Sequence, residues 1–257
     1  MKIRNLHLAA ISAALGLALT ITPPLAAAAA VSAETSISNV QLKVVDLTPD
    51  DGQAGGINYF DRESALYTNA GQTLHDYQNY KDLRAATATV SSGSAQAWTS
   101  HSGVPGEIQG RTQSNGYDAA STFTYQNASF WLMPHTSVSV SGHIAGFVQS
   151  VAGLPYASAN TSAQVYFWNL SAHTGYLARV YKELTLDSSP SGSAFNEDFN
   201  LYYANDTDKA IAIRWASVAD TYAAASAPVP EPQGYAMLAA GLLLLGAVSR
   251  RKKSIQS

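Results

Sequence analysis

Cysteine is absent from the 257-residue chain, and so are the short catalytic motifs that are recognisable in a single sequence. Without cysteine there is no disulfide bond, no thiolate ligand for a metal and no cysteine nucleophile. The chain also lacks a Gly-x-Ser-x-Gly turn, a phosphate-binding loop ending in Gly-Lys-Ser/Thr and a His-Glu-x-x-His zinc helix. We therefore expect a protein that is not an enzyme, needs no cofactor and is stabilised by an ordinary apolar core.

The charged residues are unevenly distributed along the chain. All 18 Asp and Glu residues lie between Glu34 and Glu231, whereas six of the 15 Lys and Arg residues lie in the two terminal segments. The body of the chain is therefore acidic, and an acidic surface repels a phosphate backbone. Nucleic acid is not an expected partner.

The N-terminus has the layout of a secretory signal peptide. Lys2 and Arg4 precede an apolar run from Leu6 to Ile21, and a stretch of small residues follows. We predict cleavage between Ala33 and Glu34. The signal peptide predicts that the protein is exported.

The C-terminus combines three elements in a fixed order. An apolar run over residues 233–249 would be about 25 Å long as a helix, which is at the short end of what spans a bilayer. Cations that follow such a helix stay on the cytoplasmic side, so the body is expected outside that membrane, as the signal peptide also requires. Before the run stand Val229, Pro230, Glu231 and Pro232, and after it stand Arg250, Arg251, Lys252 and Lys253.

These three elements resemble the PEP-CTERM sorting signal of Gram-negative bacteria. The resemblance implies that the protein passes from the secretion machinery through a membrane-anchored intermediate to an exosortase, which recognises Pro230, Glu231 and Pro232. It also implies a final location at the cell surface or in the extracellular polysaccharide of a biofilm matrix. The alternative is an ordinary C-terminal anchor with an incidental Pro-Glu-Pro.

Between Glu34 and Tyr222 the apolar residues recur with a period of two, as in AQVYFWNL and VYKELTL. This pattern, with turn residues between the runs, predicts an all-β fold, an antiparallel, jelly-roll-like β-sandwich. FDRESALYTNAGQTLHDYQNYKDLRAATATV does not alternate cleanly and is predicted to be a long loop with one short helical turn. The predicted segments are a signal peptide (1–33), the sandwich (34–222), an Ala/Ser/Pro linker with the Pro-Glu-Pro motif (223–232), a transmembrane helix (233–249) and a basic cytoplasmic tail (250–257).

Aromatic residues provide one set of candidate ligand contacts, because sugar rings stack on aromatic faces. Trp98, Tyr77 and Tyr80 are predicted to be the best exposed, since they lie next to Gly- and Ser-rich sequence or in the non-alternating segment. The remaining tryptophans lie within strand patterns and are predicted to be core residues: Trp131, Trp168 and Trp215.

Asp46, Asp50 and Asp51 are weak candidates for a calcium site, because they crowd the first turn around Gly52. The same Asp-Asp-Gly sequence is also a good turn former without a metal. No metal is therefore assigned from the sequence.

Three functions remain open for the body. The leading one is a structural or adhesive surface module, and the second is a sandwich that binds exopolysaccharide, with or without calcium. The third is a secreted hydrolase, which would need two convergent carboxylates across a cleft.

Overall fold

The protein folds as an antiparallel β-sandwich in its computed structural model, which describes residues 31–116, 118–150, 156–172, 175–187 and 192–226. The prediction of an all-β protein is confirmed. The strands are β1 (Val31–Asp46), β2 (Ile57–Ala70), β3 (Leu74–Tyr80), β4 (Ala85–Ser92), β5 (Ala95–Ser102), β6 (Ile108–Ser114), β7 (Ala119–Leu132), β8 (Thr136–Ser150), β9 (Tyr156–Asn169), β10 (Tyr176–Asp187), β11 (Gly192–Asn205) and β12 (Ile211–Ser226).

The strands form two six-stranded sheets that pack face to face. Sheet A has the order β11-β8-β1-β6-β5-β4, and sheet B has the order β10-β9-β12-β7-β2-β3. At one side the sheets are tied together by an ion pair between Lys182 Nζ on β10 and Glu197 Oε1 on β11, 2.6 Å apart. The first and last strands both lie inside a sheet, since β1 pairs with β6 and β8 while β12 pairs with β7 and β9.

The predicted alternation builds the core, as β9 shows. Val165 and Phe167 have no exposed surface, whereas Tyr166 and Trp168 lie on the outer face of sheet B. Full burial of an aliphatic or phenyl side chain stabilises a fold by about 1.5–3 kcal/mol. The main cluster between the sheets includes Phe130, Val140, Ile144, Val165, Phe167 and Ile213.

The segment predicted to be a long loop instead forms strands β2, β3 and β4. The prediction was wrong because polar side chains occupy inward positions there: Ser64 and Thr68 are fully buried beside Leu66. Ser64 Oγ donates to the carbonyl oxygen of Asp82 at 2.8 Å. A hydroxyl group with such a hydrogen-bond partner can be buried. The inward face of a strand can therefore contain both polar and apolar residues, and the polar–apolar alternation is then not visible in its sequence.

The sandwich extends beyond both predicted boundaries. Val31 and Ala33 are fully buried in β1, so the predicted cut after Ala33 would remove two core side chains. At the other end β12 continues to Ser226, and Ala223 is also fully buried. The alanine-rich run that was predicted to begin a linker is therefore strand, because its inward alanines pack into a second buried cluster between the sheets. The cluster comprises Val31, Ala33, Val148, Ala157, Ala159, Leu186, Ala223 and Ala225.

Two glycines in β8 lie beneath phenyl rings of the neighbouring strand β11. Gly146 is opposite Phe195, and Gly142 is opposite Phe199. A Cβ atom on Gly146 would lie 2.5 Å from Cζ of Phe195. The two phenylalanines thus cover the strand backbone and fill space that the glycines leave open.

Candidate functional site

The three aromatic residues predicted for glycan stacking do not form one surface. Trp98 is half-buried on β5, on the outer face of sheet A opposite Arg111. Tyr77 and Tyr80 lie on β3 of sheet B, but their odd separation places them on opposite faces of the strand. Tyr77 is exposed, whereas Tyr80 is opposite the buried Ser64 on the inner face. No common platform of these three side chains exists.

The calcium candidates are occupied by hydrogen bonds within the first turn. Asp46 accepts the backbone N–H groups of Thr48 and Gly55, both at 2.9 Å. Asp51 accepts the Thr48 hydroxyl at 2.7 Å and the backbone N–H of Gln53. These contacts lower the pKa of Asp51, the hydroxyl more than the backbone N–H. Across the described ranges no three His, Asp or Glu side chains, Asp50 included, are grouped as metal ligands. The three aspartates, to which the sequence assigned no metal, are thus not brought together as a group of metal ligands.

The predicted sorting elements lie outside the described residues. These are the leader before residue 31, the motif from Val229 to Pro232, the apolar run 233–249 and the four terminal cations. Within the part of the chain that the structure describes, no helix has the length and apolar character needed to cross a membrane.

The two outer faces of the sandwich differ in chemistry. Across β1, β6 and β5 the outer face of sheet A carries mainly Ser and Gln side chains, with the pair Glu34 and Arg111 at 3.9 Å. The outer face of sheet B is rich in aromatic residues, several of them well exposed. They are Tyr67, Tyr77, Phe123, Tyr125, Trp131, Tyr166, Trp168, Tyr176 and Tyr181.

A trough of about 240 Å³ runs along β12 in the middle of this aromatic face. Its floor is formed by Ala216 and Val218, which are shorter than the side chains on both neighbouring strands. The register places Ala216 between Tyr166 on β9 and Asn127 on β7. Arg214 lies at one end of the trough. The depression therefore exists because small residues on a central strand lie between large ones on its two neighbours.

Aromatic rings form both walls of the trough. On the β7 side Phe123 and Tyr125 have ring centroids 5.9 Å apart and planes inclined by 57°. On the β9 side Tyr166 meets Tyr176 edge to face at 5.1 Å and 77°. Trp168 meets Tyr176 at 90°. Because neighbouring rings are inclined to one another, they do not make a flat platform. Of these rings, Phe123, Tyr125 and Tyr166 line the trough.

Glu63 and Asn127 supply polar groups to the β7 side of the trough. Burial raises the pKa of Glu63, but hydrogen bonds from Asn79 and Tyr125 and the charge of Lys81 outweigh it, and the pKa lies below its ordinary value. The Glu63 carboxylate is therefore ionised at neutral pH. Asn79 Nδ2 donates to it at 3.2 Å, and Lys81 Nζ lies 3.6 Å away.

Tyr125 and Asn127 also hydrogen-bond to Glu63. Burial, and then the adjacent carboxylate, raise the pKa of Tyr125 to about 12, so its hydroxyl stays protonated and donates. A carboxylate only accepts, which means that Asn127 must present its NH₂ group to Glu63. Asn127 is 7% exposed, and its Oδ1 has no hydrogen-bond partner within the described ranges. Asn127 is one of the residues that line the trough.

Two arginines lie on this face, Arg214 at one end of the trough on β12 and Arg179 on β10. Arg214 Nε donates to Ser129 Oγ on β7 at 3.4 Å. Arg179 lies over the rings of Tyr176 and Tyr181, 4.6 Å from each centroid, and its Nη2 donates to Gln164. Stacked guanidinium groups of this kind hold aromatic side chains in place and keep donors available at the surface.

Sequence reasoning missed this face for an identifiable reason. Alternation separates two faces of a strand, but in β7 and β9 aromatic residues occur on both of them. Trp215 is 2% exposed, so its core prediction is confirmed. The core prediction was wrong for Trp131, which is 44% exposed, and for Trp168, which lies half-buried on the outer face beside Arg214. The sequence signal for the trough was the small size of the outward residues Ala212, Ala216 and Val218 in β12. This signal can be interpreted only when it is known that the aromatic strands β7 and β9 lie on either side of β12.

The chain matches no protein-family model, and no curated protein is significantly similar to it. The resemblance to PEP-CTERM proteins therefore remains an interpretation of the quoted residues.

Proposed function

We propose that this protein is an exported, non-enzymatic module of the cell surface or extracellular matrix, and that the outer face of sheet B binds extracellular polysaccharide. The trough between Tyr125 and Tyr166 is the observation that carries the proposal. Aromatic walls stack on the apolar faces of sugar rings, and the floor and ends offer donors and acceptors to their hydroxyl groups. In this proposal the adhesive module suggested by the sequence uses the outer face of sheet B as its contact surface.

The sorting route is part of the same proposal. A signal peptide and a C-terminal Pro-Glu-Pro signal read by an exosortase would deliver the sandwich to a polysaccharide-rich location. The two ends of the described sandwich support this arrangement: Val31 in β1 is opposite Ser114, whose Oγ accepts the Ala225 N–H of β12 at 3.2 Å. The sandwich can therefore be held at one end while the outer face of sheet B stays accessible.

Glu63 is assigned to binding in this proposal. It is the carboxylate among the described residues that line the trough, and it is held by donors from Asn79, Tyr125 and Asn127. A carboxylate fixed in this way orients the side chains of Tyr125 and Asn127, and it can accept hydrogen bonds from the hydroxyl groups of a sugar.

The experiment is retention of the full chain on immobilised polysaccharide from the matrix of the producing cells. We expect saturable retention that Tyr166→Ala reduces by about tenfold, because a central aromatic contact is worth more than about 1.4 kcal/mol. Tyr202 provides a matched control, since it is 58% exposed on the outer face of sheet A opposite Ser139. Tyr202→Ala should bind as the wild type does. Absence of saturable retention, or equal losses in both variants, would contradict the proposal.

A further inference from the structure

The shape and charge of the trough indicate which class of polysaccharide it takes. We propose that it binds a single, uncharged glycan chain lying along β12, and neither a crystalline polysaccharide surface nor a uronate polymer. This inference rests on the proposed function, because it specifies the ligand of the same site.

The width of the trough limits it to one chain. Tyr166 and Tyr125 stand on β9 and β7, which both pair with β12 and so lie about 9.5 Å apart. The two rings are staggered along β12, since Tyr166 is opposite Ala216 and Tyr125 is opposite Val218, and the distance between their strands has room for one glycan chain only. A crystalline surface needs coplanar rings, but the rings here are inclined by 57° to 90°.

The length of the trough favours a short stretch of polymer. From Arg214 to Val218 the β12 backbone advances by about 14 Å. That distance spans more than one sugar ring, and the trough is bounded at one end by Arg214. A short stretch of one glycan chain therefore fills the site.

The charges on this face disfavour an anionic chain. Among the described residues of sheet B, the carboxylates of Asp61, Glu63, Glu183 and Asp220 share the outer face with the guanidinium groups of Arg179 and Arg214, and the Lys81 ammonium pairs with Glu63. A uronate polymer would bring repeated negative charge to a face where the four carboxylates outnumber these three cations. Neutral hydroxyl groups can instead donate to Glu63 and to Asn127 Oδ1, and can accept from Arg214.

Asn127 gives the sharpest indication of a hydroxyl-bearing ligand. Its Oδ1 is buried and without a donor in the described part of the chain, while its NH₂ group faces Glu63. Asn127 lines the trough, and an unmet buried acceptor costs about 1–3 kcal/mol, which a ligand donor that reaches the amide would recover. A carboxylate cannot supply that donor, whereas a sugar hydroxyl can.

The test uses the full chain and two forms of one probe, the soluble matrix polysaccharide of the producing cells before and after chemical reduction of its carboxyl groups to alcohols. We expect the reduced polymer to bind at least as tightly as the untreated one. Binding should change less than about twofold between low and high salt, since neutral contacts are not screened. Oligosaccharides from partial hydrolysis of the reduced polymer should compete.

Variants identify the trough as the site. Tyr166→Ala should weaken binding of the reduced polymer about tenfold, whereas Tyr166→Phe should keep the stacking ring and bind normally. Asn127→Leu, which removes the amide, should also weaken binding, and thermal melting of each variant shows whether it is folded. If melting shows that Asn127→Leu is unfolded, Asn127→Ser provides the same test.

The outcomes separate this inference from the proposed function. Tyr166-dependent binding that is lost on carboxyl reduction, or that falls steeply with salt, would overturn the neutral-chain inference and leave polysaccharide binding intact. Binding to insoluble crystalline polymer without competition by soluble fragments would overturn the single-chain inference. Absence of binding to either form of the polymer would overturn both proposals.

Discussion

Protonation of His101 should destabilise the protein in mild acid. His101 is 3% exposed on the inner face of β5, and its Nε2 lies 2.7 Å from Oγ1 of Thr124. The Thr124 hydroxyl donates to the carbonyl oxygen of Ala65, so Nε2 carries the imidazole hydrogen and donates to Oγ1. Nδ1, which would take the second proton, has no partner among the described residues. Burial therefore lowers the pKa of His101 to about 4 from 6.5, and a backbone contact with Ala65 offsets this only in part.

The magnitude follows from the difference between the folded and unfolded pKa values of this group. In the unfolded chain His101 takes up a proton near pH 6.5, whereas in the folded protein it does so only near pH 4. Between these values the unfolded state binds more protons, so the free energy of unfolding falls as the pH falls. One pKa unit corresponds to about 1.4 kcal/mol, which makes the total loss about 3 kcal/mol. Above pH 6.5 and below pH 4 this group contributes no further pH dependence.

The assay is urea unfolding of the full chain at several pH values between 4 and 7, for the wild type and His101→Gln. Glutamine can place an amide N–H towards Thr124 but cannot be protonated in this range. The wild type should be the more stable at pH 7, and its advantage should shrink by about 3 kcal/mol by pH 4. A difference between the two proteins that stays constant from pH 7 to pH 4 would refute the reasoning, because it would mean that His101 does not titrate differently in the two states.

Three further predictions concern packing, export and sorting. Gly146→Ala should lower the free energy of unfolding by about 1–3 kcal/mol, because the new methyl group overlaps the Phe195 ring; an unchanged urea midpoint would contradict this packing. Mass spectrometry of the exported protein should find an N-terminus at or before Val31, because a cut after Ala33 removes buried strand residues; a mature chain that begins later and is stably folded would rule this out. In a host with an exosortase, Glu231→Ala should still be exported but should retain the C-terminal segment, and equal processing of variant and wild type in fractionated cells would reduce the motif to an ordinary anchor.

The all-β class was predictable from local sequence, because the period of side-chain alternation follows from strand geometry alone. In β9 the alternation of Val165 and Phe167 with Tyr166 and Trp168 identified the strand, but large apolar residues on both sides did not show which side faces outward. The same rule failed for β2, where Ser64 and Thr68 point inward. Hydroxyl groups can be buried when partners such as the carbonyl oxygen of Asp82 are available, and those partners come from another part of the chain.

The domain boundaries were misplaced for a related reason. A run of alanines shows no polar–apolar alternation, so the segment that includes Ala223 and Ala225 is compatible with either a linker or a strand. Its assignment depends on Val31 and Ala33 at the other end of the domain, against which these side chains pack. Whether a small residue is buried depends on how closely the two sheets approach each other. That distance cannot be inferred from a short stretch of sequence.

The sequence by itself determined the absence of cysteine chemistry, the acidic body, the alternating strands and the two distinctive termini. The trough was decided only by the tertiary structure. Tyr166, Ala216 and Asn127 are far apart in the chain, and they become neighbours in one row because β9 and β7 both pair with β12 in a particular register. A shift of either strand by one residue would exchange its inner and outer faces and remove the aromatic walls. The site is thus a property of strand register, which long-range hydrogen bonding and core packing fix together.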